Sequence, residues 1–213
     1  MSPLVDPVVV LVLMLNFLLL GASRLRTAIH ASAFQGALLG TLAVLVHGAP
    51  ATRPIAVGLV AIAIKGVLIP AMLQRAMRDA AIRKEIDPYL SFVASLILGA
   101  VATGAAVLFA DRLPLAPEHQ GSLLVPASLA TVLTGFLILT TRRKAITQVV
   151  GYLVLENGIF IMGLTLHEAM PSMVEIGVLL DLLVAIFVIG IVINHIHREF
   201  ASLDVARLDT LKE

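Results

Sequence analysis

The chain has 213 residues, 59% of them hydrophobic and 14% charged, with 15 basic and 14 acidic residues and a mean hydropathy of +1.02. That composition lies well outside the range of soluble globular domains, gives no basic excess for a nucleic-acid partner, and describes an all-α integral membrane protein. With no cysteine, the chain can hold neither a disulfide nor a metal or iron–sulfur cluster on its own thiolates.

Seven hydrophobic segments follow one another. The first, Leu4 to Leu20, is apolar apart from Asp6 and Asn16, and the residues before it carry no Lys or Arg. It is therefore a poor match for a cleaved signal peptide and reads as a retained helix, with Asn16 as helix-packing glue. The second, about Thr27 to Val46, contains Gly36 and Gly40 in a GxxxG arrangement that lets a neighbouring helix approach closely. The third, about Pro54 to Met77, carries Lys65 near its middle and Pro70 five residues later. Pro70 cannot donate to the carbonyl of Gly66, which predicts a freed acceptor and a kink beside the lysine.

After a basic loop with Arg75, Arg78, Arg83 and Lys84, the pair Asp87-Pro88 predicts an N-cap and a first helical turn. The fourth helix then runs to about Ala110, with Ser91, Ser95, Gly99 and Thr103 on a narrow packing face. The fifth covers about Leu123 to Thr140. The sixth and seventh lie between Arg142 and His197, joined by a short acidic turn in which Ser172 and Glu175 match a capping box. Beyond His197, residues 198–213 place Phe200, Leu203, Leu208 and Leu211 along one side of a short amphipathic helix suited to the membrane surface or a partner. The chain thus divides into residues 1–120, an amino-terminal four-helix region; 121–197, a three-helix region; and 198–213, a cytoplasmic tail. Neither a soluble domain nor a tandem repeat is visible.

With the amino terminus outside, 12 basic residues fall in inner segments, only Arg53 and Arg112 fall in outer loops, and Lys65 is within a helix. The positive-inside rule therefore predicts an outside amino terminus and a cytoplasmic carboxyl terminus.

Three charges fall at membrane depth. Counted at 1.5 Å per residue, Glu156 is about 15 Å from the inner start of its helix, Asp181 about 14 Å from an outer start, and Lys65 about 16 Å from an outer start. In a hydrocarbon core of about 30 Å all three lie near the midplane. Charges there cost about 2.5–3.5 kcal/mol on insertion scales and usually mark an ion or proton path. A lateral row of ionisable groups at one depth can pass protons in the membrane plane, with Glu156, Asp181 and Lys65 as its members. The competing reading is structural: Glu156 as a hydrogen-bonding partner at a helix interface and Lys65 as a neutraliser of a nearby acid.

Lys144, Gln148, Tyr152 and Glu156 recur every four residues and form a supporting polar stripe from the inner surface to mid-depth. His195, nearly on the face of Asp181, is placed for an inner exit. The remaining histidines, at 30, 47, 119, 167 and 197, lie at helix ends or in a loop, a poor arrangement for axial haem ligands.

The Arg142-Arg143 pair, the mid-helix glutamate in LVLENGIF, and a following helix with a mid-depth acid and a His-rich basic end resemble the K subunit of bacterial respiratory complex I over about residues 130–200. Over its full length, with the added amino-terminal helices, the chain resembles component E of hydrogenase-4 type complexes, membrane subunits of energy-converting nickel-iron hydrogenases and formate hydrogenlyases. The resemblance implies that Glu156 matches the essential glutamate of the K family and Asp181 its second acid, here Asp instead of Glu. Lys65 has no K counterpart.

The resemblance further implies a non-catalytic subunit with no cofactor of its own, a nickel-iron centre and iron–sulfur clusters in partner subunits, antiporter-like and hydrogenase or complex I-like partners, and a bacterial or archaeal inner membrane. Proton translocation through the mid-membrane acids is the expected function. A component of a multisubunit cation/proton antiporter, or a purely structural anchor, are the alternatives. The topology is checked with reporter fusions: those after Gly48, Pro114 and Glu168 are expected to report the outer compartment and those after Asp79, Lys144 and Leu211 the cytoplasm, and an inside amino terminus overturns the arrangement.

Overall fold

A computed structural model describes residues 3–46, 52–79, 88–113 and 122–166. The expected seventh helix with Glu175, Asp181 and His195, the tail, Asp87, and the histidines at 47, 119, 167 and 197 all lie outside the described residues.

Every regular element among the described residues is helical. Helix α1 is Val5–Gly21, with Pro7 in its first turn, where a missing amide donor costs nothing. Helix α2 is Leu25–Val46. Helix α3 is built from Thr52–Ala61, a π-helical segment Ile62–Leu68 and Ile69–Asp79. Helix α4 is Phe92–Ala110, α5 is Leu124–Thr141 and α6 is Ala145–Leu166. Five stretches are long and apolar enough to cross a membrane, namely Leu25–Val46, Gly58–Arg75, Phe92–Ala110, Leu124–Thr141 and Ile146–Thr165. Val5–Gly21 is a shorter apolar helix of 17 residues.

The disturbance expected beside Pro70 takes the form of the π segment. At its end the amide of Ile69 reaches back five residues to the carbonyl of Ile64. The next residue in that register is Pro70, which has no N–H to give, and α-helical geometry resumes there. Lys65 is therefore carried on wide, irregular helix instead of on a simple kink. The start of α4 also differs from expectation. Ser91 is the N-cap and its side chain accepts from the amide of Ala94, while the amide of Tyr89 is drawn off to the carbonyl of Thr141. Pro88 thus belongs to the segment before the helix.

Close approach of backbones sets the packing. On α2, a Cβ at Gly36 would lie 2.6 Å from Cβ of Lys65, and one at Gly40 would lie 2.6 Å from the carbonyl oxygen of Gly58, so the GxxxG pair is the crossing point of α3. Helices α5 and α6 form a hairpin in which Gly135 faces the backbone of Leu155, Gly151 that of Leu139, and Gly158 that of Val132. Helix α4 is peripheral: Ser95, Gly99, Ala106 and Ala110 face inward, with Gly99 against Leu20 of α1, while Val93, Ile97, Val101 and Leu108 are exposed.

Two apolar clusters fill the interior, at opposite ends of the bundle. One joins Leu15, Leu19 and Leu20 of α1 with Ile29 of α2, Ile69 and Leu73 of α3, Ile138 of α5 and Val149, Val150 and Val154 of α6. The other joins Val5, Val9 and Val12 with Leu39 and Leu42, Leu124 and Ala127, and Phe160, Ile161 and Leu164. Buried polar side chains lie between the clusters, among them Gln35 of α2, Thr131 of α5 and Glu156 and Asn157 of α6, and Asn16 of α1 lies next to Leu15.

Glycine contacts separate tight from open positions. Gly158→Ala brings a methyl within 2.6 Å of the Val132 amide nitrogen, whereas a methyl at Gly163 meets nothing within 4 Å among the described residues. Gly158→Ala is expected to destabilise the protein by about 1–3 kcal/mol through overpacking. Gly163→Ala is expected to be neutral or stabilising by up to about 1 kcal/mol. Thermal unfolding of the detergent-solubilised protein tests the contrast, and equal behaviour overturns this account of the hairpin.

Candidate functional site

The layer between the apolar clusters is a chain of contacts across five helices. Lys65 on α3 and Glu156 on α6 form an ion pair, Nζ to Oε1, at 3.2 Å. The ammonium also donates to Oδ1 of Asn157 at 3.4 Å. Asn157 Nδ2 donates to Gln35 Oε1 on α2 at 3.1 Å, and Gln35 Nε2 donates to Asn16 Oδ1 on α1 at 2.8 Å. Asn16 Nδ2 closes the row by donating to Thr131 Oγ1 on α5 at 2.9 Å. A longer contact of 3.4 Å joins Gln35 Nε2 to the carbonyl of Val12.

All six side chains are buried, Lys65 at 6% and Glu156 at 3% exposure. Sequence position explains their meeting. Asn16, Gln35, Lys65, Thr131, Glu156 and Asn157 each lie near the middle of a helix, and the helices alternate in direction, so one level of the bundle collects them all. Gly36 lets α3 come close enough to deliver the lysine.

The ion pair approaches off the direction of a hydrogen bond. Neither Glu156 oxygen has a hydrogen-bond partner among the described residues, and the 3.2 Å contact is a Coulombic one. The ring of Phe160 lies 5.1 Å from Lys65 Nζ and adds a cation–π contact to the charge. Asn, Gln and Thr side chains do not titrate, so among the described residues of this layer only Lys65 and Glu156 can exchange a proton. Glu156 can accept one without giving up a hydrogen bond to any described residue.

The expected stripe along α6 has a different setting. Gln148 donates to the carbonyl of Arg142 at 2.9 Å, and Tyr152 is half-buried against the apolar cluster. No hydrogen bond links Gln148 to Tyr152 or Tyr152 to Glu156. Lys144 is half-buried at the start of α6. Polar continuity at Glu156 therefore runs sideways, through Asn157, instead of down the helix.

Gln35 and Thr131 were not foreseen as members of this layer. Their signal is the depth rule that singled out Lys65: each is a polar residue near the centre of an apolar helix. Asn16, expected to be packing glue, does join helices, but as a link in the row leading to Lys65.

A second buried cation closes one end of the bundle. Arg142, 1% exposed at the α5–α6 corner, donates to the carbonyl of Leu20 at 2.6 Å, and its guanidinium lies 4.5 Å from the ring of Phe92. Arg143 lies over Tyr89 at 4.8 Å. His30, near the start of α2, pairs through its ring nitrogens with Arg26 O and the Gln74 amide. Among the described residues no group of three or more His, Asp and Glu side chains is placed to hold a metal ion.

Apolar helices of spanning length, joined at mid-depth by a buried ion pair and its amide row, define a multi-pass all-α membrane protein. Over 193 residues, 89% of this chain and 87% of the relative, the sequence is 34% identical to the uncharacterized protein Rv0085 of Mycobacterium tuberculosis, and the chain belongs to that protein's family. Over 123 residues it is 32% identical to hydrogenase-4 component E of Escherichia coli K12 and of Shigella flexneri. That match takes in 58% of this chain and 55% of the hydrogenase component, so it spans about half the length of each. No protein-family model matches the chain, and no solved structure does.

Removing one member of a buried ion pair leaves a stranded charge, a loss of about 3–5 kcal/mol, whereas replacing both with neutral groups of similar size is often nearly neutral. Lys65→Met and Glu156→Gln are each expected to lower the thermal stability of the purified protein, and the double variant to recover most of the loss. Additive losses in the double variant would show that the two side chains do not form a pair.

Proposed function

We propose that the chain is a membrane subunit of a multisubunit hydrogenase of the hydrogenase-4 type, in a bacterial or archaeal inner membrane, and that Glu156 with Lys65 takes part in proton translocation. The observation that carries this reading is the 3.2 Å contact between two ionisable groups buried at mid-helix, with Glu156 free of hydrogen bonds among the described residues. The likeness to hydrogenase-4 component E supports the choice of complex. The resemblance of the sequence of residues 130–200 to the K subunit of complex I supports the choice of Glu156.

In this reading redox chemistry belongs to partner subunits with nickel-iron and iron–sulfur centres. A change of field or hydration transmitted to the midplane separates Lys65 from Glu156. The carboxylate then takes up a proton, and restoring the pair releases it. Asp181 and His195 take the roles the sequence suggests for them, a second mid-depth acid and an inner exit, with antiporter-like subunits receiving the proton.

The polar layer itself favours a second reading, in which the pair only locks the helices together. The two readings separate on Glu156→Gln, which keeps volume and most hydrogen-bonding capacity but removes the titratable proton. For proton transfer, the complex in vesicles should assemble, keep its artificial-acceptor hydrogenase activity and lose about a hundredfold or more in pumping, a single-group effect of the size general acid–base catalysis carries. Glu156→Asp should keep part of the pumping, and Lys65→Arg, which preserves the charge, should be milder than Lys65→Met. Acidification normalised to subunit content is the measurement. Wild-type pumping in Glu156→Gln removes the residue from the mechanism and leaves the locking role.

A further inference from the structure

We infer that Gln35 and Asn16 are positioning residues for the Lys65–Glu156 pair, acting through Asn157. The inference rests on the proton-transfer reading of that pair and assigns a task to two residues that cannot carry a proton themselves.

Donors and acceptors set the orientation of each side chain in the row. A lysine ammonium has only protons to offer, so Asn157 must turn its carbonyl oxygen toward Nζ. Its NH2 then faces Gln35 and requires an oxygen there, which puts Gln35 Oε1 on that side and Nε2 on the other. Nε2 meets Asn16 Oδ1 and the carbonyl of Val12, both acceptors. Asn16 Nδ2 is thereby aimed at Thr131, whose hydroxyl can accept. Each amide has one orientation because its neighbour has one, and the order of donation runs in a single sense from Lys65 to Thr131.

The row is anchored at Gln35. Val12 O is main-chain helix of α1 and cannot turn, so it holds the Gln35 amide in the observed sense. Gln35 and Asn157 are fully or nearly fully buried, at 0% and 2% exposure, leaving no solvent to satisfy a reversed amide. Without Gln35, no hydrogen bond among the described residues opposes a half-turn of the Asn157 amide that would present NH2 to the ammonium. Lys65 would lose the Asn157 oxygen as an acceptor, and its position against Glu156 would shift. Gly36, next to Gln35, fixes the lysine backbone through the contact at Cβ; Gln35 fixes the charged end. One short stretch of α2 thus controls both ends of the Lys65 side chain.

The test uses the assembled complex in vesicles. Gln35→Leu keeps approximate volume and removes the polar atoms; Asn16→Leu cuts the row one step further from the lysine. Pumping per complex is expected to fall about tenfold or more in Gln35→Leu, the size of a hydrogen bond to a charged group, and less in Asn16→Leu, with artificial-acceptor activity retained in both. The discriminating readout is difference infrared spectroscopy of the Glu156 carboxyl band, identified by its loss in Glu156→Gln and followed against pH. Its midpoint should move in Gln35→Leu in the same sense as in Lys65→Met, and adding Gln35→Leu to Lys65→Met should move it no further. An unmoved midpoint in Gln35→Leu, or equal further shifts with and without the lysine, overturns the positioning role. Should Gln35→Leu fail to assemble, the same two measurements on Asn16→Leu decide. Wild-type pumping in Glu156→Gln, or the absence of any titrating Glu156 band, instead defeats the proton-transfer reading beneath it.

Discussion

A lysine and a glutamate held 3.2 Å apart between two apolar clusters are the constraint around which this bundle is arranged. Removing either charge from water costs several kcal/mol, and their attraction repays the cost only if both are brought together and further contacts are made. Those requirements explain features that otherwise look unrelated. Gly36 brings α3 close enough for the lysine to reach α6 past α2. The π segment sets the lysine on widened helix ahead of Pro70, and Phe160 offers its ring face to the ammonium. The amide row supplies the oxygen that the glutamate alone does not.

The same layer makes the helix packing selective. Apolar surfaces in a membrane gain little from meeting one another, since lipid is as apolar as they are, so association depends on close packing and interhelical hydrogen bonds. The glycines of the α5–α6 hairpin provide the first and the row from Thr131 to Lys65 the second. A helix rotated or shifted by one residue would strand an amide in an apolar setting. The layer therefore specifies register, as a buried polar residue does in a coiled coil.

The helices up to α6 were legible because hydrophobic runs of spanning length carry their own signal. Lys65 and Glu156 were found by counting rise from helix ends, which works because depth is one-dimensional. Which groups touch was not legible. Lys144, Gln148, Tyr152 and Glu156 share a stripe by period, but rotation of α6 within the bundle turns Gln148 toward the Arg142 carbonyl and leaves Tyr152 against apolar side chains. Gln35 and Thr131 are neutral and cheap to place in an apolar helix, so neither stands out in the sequence; only their partners give them meaning. The π segment lay hidden because Pro70 announces a disturbance without stating its form.

Arg142 has two tasks separated in time. During insertion it is one of three successive cations, Arg142, Arg143 and Lys144, and in an extended chain its charge resists crossing the bilayer along with theirs. Once the hairpin closes, that charge is taken into the protein, where it caps the carbonyl end of α1 at Leu20 and rests on Phe92. The corner of α5 and α6 is thereby tied to α1 and α4. A neutral donor could make the later bond and a surface lysine could give the earlier signal. A single arginine does both, and it links the direction in which the chain enters the membrane to the way its helices finally assemble.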